Sequence, residues 1–248
     1  MLGLDTGEFL IVLLCALLIG LAKTGLPALG ILVVAAMATI FPARDSIGIV
    51  LPMLIAADLI AVVYYRHSVH WKTLFSLVPW VGGGLIAGFI LLLFITASRP
   101  IEVILGVIVL VMAAGQMARE KGRTKWLENM PKSGSFRGVI GTLAGFTTMI
   151  GNAAGPIMSI FLIAINLPKK VFIGTGAWFF LAVNLIKVPL YIWLTLITWE
   201  TVLFNLWLVP VILAGAFLGI KFLPLIPQNK FNTVILFLAA AGGIQLLL

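Results

Sequence analysis

The stretch that decides the fold runs from Glu8 to Phe41 and reads EFLIVLLCALLIGLAKTGLPALGILVVAAMATIF. It contains two apolar segments, 8–22 and 26–41, joined by Lys23-Thr24-Gly25. Each segment is short for a helix that crosses the roughly 30 Å hydrocarbon core of a bilayer. Helical backbone broken at membrane depth is tolerated only where it is buried in protein or lines a wet cavity. The stretch therefore predicts a broken, re-entrant helical hairpin.

The rest of the chain has the composition of a protein whose solvent is a lipid bilayer. Of its 248 residues, 62% are apolar and 10% are charged, and the mean hydropathy is +1.21. Soluble domains carry roughly 25% charged residues. We therefore expect an all-α integral membrane protein. Its further apolar segments are 46–65, 73–95, 100–118, 138–150, 153–166, 171–193, 199–222 and 231–248.

Two of these segments, 138–150 and 153–166, form a second short pair in the other half of the chain. They are joined through Gly151, which lies 126 residues after Gly25. Short segments interrupted by Gly or Pro, at matching places in two halves, are typical of secondary transporters. The pattern predicts two inverted-topology repeats, each with a re-entrant hairpin followed by three transmembrane helices.

Basic residues indicate how the repeats lie in the membrane. The first repeat takes residues 1–118, the second 138–248, and a linker rich in Lys and Arg takes 119–137. Such a linker is expected on the cytoplasmic side. Both chain termini are then outside. Because three is an odd number of spans, the second repeat is inverted relative to the first.

The hairpin tips enter from opposite faces and are expected to meet near the middle of the membrane. The second arm of each hairpin begins at its tip, so its free N–H groups and positive dipole end point at the meeting place. Such a helix end is a ready anion site. The candidate substrate-binding residues are Lys23, Thr24, Gly25, Leu26, Gly151, Asn152 and Ala153.

Lys23 is the most informative residue of the two tips. It follows about fifteen apolar residues, so its ammonium lies roughly 22 Å into the hairpin at 1.5 Å per residue. A charge at that depth needs water or a counter-charge. The alternative is a shallow or tilted hairpin, from which Lys23 reaches a membrane surface.

Five polar residues elsewhere are candidates for coupling or gating: Asp58, Asn184, Lys187, Thr147 and Thr148. Asp58 and Asn184 occupy matched positions in the two halves. Asp58 can pair with Lys23 or Lys187, or carry a coupling proton, and the alternative is a structural hydrogen bond between the repeats. Lys187 lies near the end of its helix, where reaching the surface is an equal alternative. For the threonines, the alternative is helix capping or packing.

The sequence shows no signature of an enzyme, a metal site or a cofactor site. Ala22-Lys23-Thr24 contains a Lys-Thr pair but lacks the upstream glycine and the strand-to-helix setting of a phosphate loop. No cluster of His, Cys and carboxylate residues has the spacing of metal ligands. The net charge of +8 comes mostly from basic residues between apolar segments, so it reflects topology and not a nucleic-acid partner.

Each half carries a glycine-rich turn near its start. The turns are Gly20-Leu-Ala-Lys-Thr-Gly25-Leu-Pro-Ala-Leu-Gly30 and Gly145-Phe-Thr-Thr-Met-Ile-Gly151-Asn-Ala-Ala-Gly155-Pro156. Together with the duplicated layout and the polar central loop, they resemble the TauE/SafE family of sulfite exporters and toluenesulfonate uptake permeases. The resemblance implies outward transport of sulfur-containing anions, such as sulfite, sulfoacetate or other sulfonates, across a bacterial inner membrane.

The interpretation is alternating access, in which one half rocks against the other around a midplane anion site. A proton or sodium gradient is the expected driving force, and the partners are a small anion, the bilayer and, as an open question, further copies of the chain. One alternative is a transporter or channel for another solute, such as a cation or metal ion, using Asp58 and the carbonyl ends of the tips. Another is a membrane subunit with no transport of its own.

Overall fold

The structure, a computed structural model, describes residues 4–94, 98–120, 133–245 and 247, and these ranges contain helices and turns but no strand. Their ten α-helices are α1 (Thr6–Thr24), α2 (Gly30–Ile40), α3 (Ala43–Tyr65), α4 (Trp71–Phe94), α5 (Ser98–Glu120), α6 (Gly134–Gly151), α7 (Ala154–Ala164), α8 (Lys169–Trp193), α9 (Trp199–Phe222) and α10 (Gln228–Gln245). The all-helical fold class predicted from the sequence is confirmed in the described ranges.

Five stretches of the described chain are long and apolar enough to cross a membrane. They are Thr6–Thr24, Arg44–Tyr65, Trp71–Phe94, Lys169–Trp193 and Trp199–Leu225. Shorter apolar helices occupy Pro27–Ile40, Ala154–Ala164 and Lys230–Gln245. Large apolar side chains also cover the outer surface, as expected where lipid tails replace water.

The first hairpin breaks slightly later than the apolar pattern predicts. A capping box between Asp5 and Glu8 starts α1 early, so this arm is longer than expected. Lys23 and Thr24, predicted to join the two arms, form the last turn of α1. Pro27 is the reason for the break, because it has no N–H and disfavours helical backbone at the preceding residue. A short 3₁₀ turn from Pro27 then leads into α2.

The second hairpin breaks at Asn152. This residue has a φ of 54°, in the left-handed region that commonly ends a helix, and α7 starts two residues later. At the other end, α6 already begins at Gly134, so the end of the predicted linker 119–137 is helical. Most of that linker, residues 121–132, lies outside the described residues.

Two pairs of helices pack with their backbones in contact. Helix α1 runs along α9, and α4 runs along α6. A Cβ added at Gly20, Gly84, Gly145 or Gly215 would lie 1.9–2.2 Å from a carbonyl oxygen of the facing helix. Only glycine permits such an approach, which is how helices associate strongly in lipid. We call these two contacts the glycine seams.

Helices α3 and α8 pack against each other and form the centre of the structure. In each, 67% of the apolar window is buried, compared with 33–39% in α1, α4 and α9. A Cβ at Gly48 would lie 1.8 Å from the Leu196 carbonyl oxygen, and one at Gly174 would lie 2.1 Å from that of Ser68. These contacts fix the two central helices, which carry Asp58, Asn184 and Lys187 of the site.

The glycine seams predict that two similar substitutions in long helices differ greatly in their effect on stability. Gly215→Ala places a methyl group against backbone that has no side-chain freedom, so we expect a loss of about 1–3 kcal/mol in stability. Gly83→Ala meets open space and gains the same helix propensity, so its melting temperature should match or exceed that of the wild type. Thermal unfolding of both variants in detergent tests this. Equal melting temperatures would contradict backbone contact at the seam.

Candidate functional site

A hydrogen bond joins the two central helices at their most buried polar positions. The side-chain amide of Asn184, on α8, donates to Asp58 Oδ2, on α3, at 2.7 Å. Asp58 is 0% exposed and Asn184 1%. Groups buried this deeply are almost always hydrogen-bonded, and here each is the partner of the other.

Lys23 reaches this pair from the last turn of α1. Its Nζ lies 2.8 Å from Asp58 Oδ1, and its side chain is 10% exposed. The ammonium also lies 3.9 Å from the centre of the Phe180 ring, a cation–π contact. Lys23 therefore points into the protein and does not extend to a membrane surface.

Lys187 is buried on the other side of Asn184. It is fully buried and donates to Asn152 Oδ1, to Thr148 Oγ1 at 3.3 Å and to Asn184 Oδ1 at 3.3 Å. All three acceptors are neutral, and in the described part of the chain no carboxylate lies within ion-pair distance of its Nζ. The cluster thus contains two lysines and one aspartate.

The hairpin tips meet beside this cluster. A Cβ added at Gly155, in the first turn of α7, would lie 3.0 Å from the Pro27 carbonyl oxygen of the first tip. Asn152 Nδ2 donates to the Ile47 carbonyl at 2.9 Å and ties the second tip to α3. No side chain caps the start of α7, so its first amides lack acceptors within the helix. The positive dipole end of α7 is directed at a small cavity beside the cluster, and Gly155 forms part of the wall of that cavity.

A small cavity lies between the tips and the central helices. Its volume is about 20 Å³, room for about one water molecule. Its polar lining consists of Lys23, Thr148, Asn152 and Asn184, and Phe180 contributes an aromatic face. Lys187 lies behind this wall and holds the three neutral polar residues in position.

Two threonines among the other candidates have their hydroxyls bonded to backbone carbonyls. Thr24 Oγ1 donates to the carbonyls of Gly20, at 3.0 Å, and Ala216, at 2.9 Å. Thr147 Oγ1 donates to the Leu143 carbonyl of its own helix, at 2.7 Å. Neither hydroxyl lines the cavity, and the same is true of the remaining tip candidates Gly25, Leu26, Gly151 and Ala153. Of the predicted substrate-binding residues, Lys23 and Asn152 are the two that line it.

Two tyrosines that sequence reasoning missed complete the broken helices. Tyr65 Oη donates to the Thr24 carbonyl at 3.0 Å, and Tyr191 Oη donates to the Met149 carbonyl at 2.7 Å. Each satisfies a carbonyl near the end of a first hairpin arm, where intrahelical donors run out. The signal was available, because the two tyrosines lie 126 residues apart, as Asp58 and Asn184 do.

Comparison with known proteins identifies the family. The family model described as "Sulfite exporter TauE/SafE" matches residues 12–246, nearly the whole chain. No curated protein and no solved structure matches the chain. The match confirms the resemblance carried by the two glycine-rich turns, and the family is one of transporters and not of enzymes. The chain therefore belongs to the sulfite exporter TauE/SafE family and is a multi-pass membrane transporter.

Proposed function

We propose that the chain is a secondary active transporter that exports small sulfur-containing anions, such as sulfite, sulfoacetate or other sulfonates. Transport proceeds by alternating access around the cavity between the hairpin tips. The observation that carries the proposal is the buried cluster of Lys23, Lys187 and Asp58 beside the uncapped start of α7.

The charge of the cluster favours an anion. With both lysines and Asp58 ionised, the cluster carries one net positive charge in a site removed from water. Uncompensated charge at membrane depth is costly, and a bound anion neutralises it. A bound cation would instead raise the net charge. Lys23 and the Asn152 and Asn184 amides each donate to one protein partner, at Asp58 or the Ile47 carbonyl. Their remaining N–H bonds, together with the Thr148 hydroxyl, suit the oxygen atoms of a small oxyanion.

The groups that a cation would need already have partners. Asp58 is bonded to Lys23 and Asn184, and the carbonyls of Thr24 and Met149 accept from tyrosine hydroxyls. In the described part of the chain, no group of three or more His, Cys, Asp and Glu residues could hold a metal ion. One carbonyl near the end of each first hairpin arm thus accepts from a tyrosine hydroxyl, while the amide end of α7 has no side-chain cap. The preference for a sulfur-containing anion rests on the family alone.

Inverted repeats at 1–118 and 138–248 explain the arrangement of the helices. Beyond Asp58 and Asn184, the spacing of 126 relates Pro42 to Pro168, Gly48 to Gly174 and Tyr65 to Tyr191. The contacts repeat as well, since α1 packs on α9 as α6 packs on α4. Each repeat would then consist of a re-entrant hairpin and three further helices, with both chain termini outside a bacterial inner membrane.

Asp58 is the group we assign to coupling. It is the counter-charge of Lys23, so an anion that binds Lys23 competes with it. A proton on Asp58 would remove that competition, which links anion binding to proton binding. Sodium is the other coupling ion to be tested, and self-association of the chain is a further open property.

The first test removes the ammonium that lines the cavity. Lys23→Gln should weaken binding of sulfite or sulfoacetate about tenfold to a hundredfold, the loss of a hydrogen bond to a charged group. Lys23→Gln combined with Asp58→Asn removes both members of the ion pair, so neither is left as a buried charge without its partner, and this variant should bind equally weakly while remaining folded. Calorimetry on the purified protein, with Lys221→Gln as an exposed control, measures the change. Unaltered affinity in both variants, or binding that follows sodium or potassium, would reject the proposal.

A second test varies the net charge of the cluster. Asp58→Asn raises it and should tighten anion binding, while Lys187→Gln lowers it and should weaken binding, each by about tenfold, as about 1.4 kcal/mol per unit charge would give. The variant that combines Asp58→Asn with Lys187→Gln has the net charge of the wild type and should bind the anion as the wild type does. Tighter binding by Asp58→Asn cannot arise from misfolding. A double variant as weak as Lys187→Gln alone would show that Lys187 acts structurally.

A third test addresses coupling and transport in vesicles. Because the linkage makes proton and anion bind together, an imposed pH gradient that is acidic on the side supplying labelled sulfite should drive its accumulation by the wild type. Asp58→Asn cannot take up a proton and should allow equilibration without accumulation. Accumulation driven by a sodium gradient alone would show that sodium, and not a proton, is the coupling ion. No movement by the folded wild-type protein would favour a membrane subunit without transport of its own.

A further inference from the structure

An apolar groove separates α4 from α8. Its volume is about 250 Å³, and its walls extend from Trp71 to Leu85 on α4 and from Trp178 to Ile186 on α8. The counterpart pair in the fold, α9 and α3, packs closely, and Asn205 of α9 donates to the Ile49 carbonyl of α3 at 3.1 Å. The space between α4 and α8 is therefore open, whereas the equivalent space between α3 and α9 is closed by direct helix packing.

The groove is long enough to hold an acyl chain of a lipid from one leaflet of a bilayer. From Trp71 to Leu85 it follows α4 for about 21 Å, at 1.5 Å per residue. The hydrocarbon of one leaflet is about 15 Å thick, half of the roughly 30 Å core. Its lining is aliphatic and aromatic, and Phe75, Val78 and Ile186 are exposed along it. An extended acyl chain is the occupant that this shape and chemistry fit.

One polar atom in the groove lacks a partner. Trp178 Nε1 is buried and has no hydrogen-bond acceptor among the described residues. Its ring lies 5.2 Å from that of Trp71, the first residue of α4, at one end of the groove. A buried donor without an acceptor is costly, and tryptophan normally places its N–H at the polar boundary of a membrane. A lipid ester or phosphate oxygen at this end would accept the hydrogen bond.

The same end of the groove carries positive charge. Arg66, Lys72 and Lys170 are exposed near the starts of α4 and α8, and none has an acidic partner in the described part of the chain. The loop that contains Arg66 is held against α8, because the His70 amide donates to Thr175 Oγ1 at 2.9 Å. Basic residues placed at a membrane boundary attract anionic headgroups.

We propose that the α4–α8 groove binds one anionic phospholipid, with an acyl chain along the groove and its headgroup between the basic residues and the Trp178 N–H. The site is separate from the cavity between the hairpin tips and does not depend on which solute is transported. Its preference for anionic over zwitterionic headgroups rests on Arg66, Lys72 and Lys170, which are exposed near the starts of α4 and α8.

The sharpest test fills the groove without disturbing the fold. Gly82 lines the groove, Gly83 does not, and a Cβ added at either meets open space. Native mass spectrometry of the purified full chain, with phosphatidylglycerol or phosphatidylcholine added, counts the bound lipids. We expect Gly82→Leu to abolish the retained phosphatidylglycerol and Gly83→Leu to keep it. Trp178→Phe should weaken retention about two- to tenfold, the value of one hydrogen bond.

Removing a charge should change the preference between lipids. Lys72→Gln should weaken phosphatidylglycerol binding about fivefold and leave phosphatidylcholine unchanged, whereas Lys221→Gln, exposed on α9, should change neither. Equal retention of the two lipids by the wild type would overturn the proposal. Full retention by Gly82→Leu would do the same. A dimer that Gly82→Leu dissociates would assign the groove to a second copy of the chain and overturn it as well.

Discussion

Lys23 and Asp58 pair inside a protein whose outer solvent is lipid, and the rest of the structure is arranged to make that pairing possible. Neither charge can be left alone at this depth. The pair joins α1 to α3, Asn184 adds α8, and Lys187 connects these to Asn152 of the second tip. Apolar packing between helices is weakly selective in lipid, because the lipid tails are equally apolar. The polar network therefore selects one helix arrangement among many.

The network also explains why the chain breaks two helices within the protein. A continuous helix satisfies its own backbone and presents none of it to a ligand, whereas a broken helix exposes both carbonyl and amide ends. Here one carbonyl near each break accepts from a tyrosine hydroxyl, and the start of α7 has no side-chain cap. Because these carbonyls have protein donors and the amide end of α7 has no side-chain cap, the backbone around the cavity favours a negatively charged ligand.

The positions of the helices, the hairpins and the polar residues along the chain could be predicted from the sequence, but the contacts of the polar side chains could not. Apolar segments predict the helices, and the interruptions at Gly25 and Gly151 locate the hairpins because Gly and Pro act on the backbone locally. The direction of a side chain depends on how its helix is rotated against its neighbours, which spacing does not specify. Thr24 accordingly bonds to carbonyls of α1 and α9, and Lys187 faces inward although it lies near the end of its helix. For Asp58 the sequence left open a pairing with Lys23 or Lys187, a coupling proton, and a structural hydrogen bond between the repeats. The structure contains both an ion pair with Lys23 and a hydrogen bond from Asn184.

The glycine seams determine which part of this protein can fold as a unit. Backbone contact locks α1 to α9 and α4 to α6, and each seam joins a helix from one half of the sequence to a helix from the other. Neither half can complete its packing without the other, so the chain is not two modules in succession. The bodies that move during transport would likewise be assembled from both halves. A polypeptide cut in the central linker should yield fragments that fold only on meeting each other.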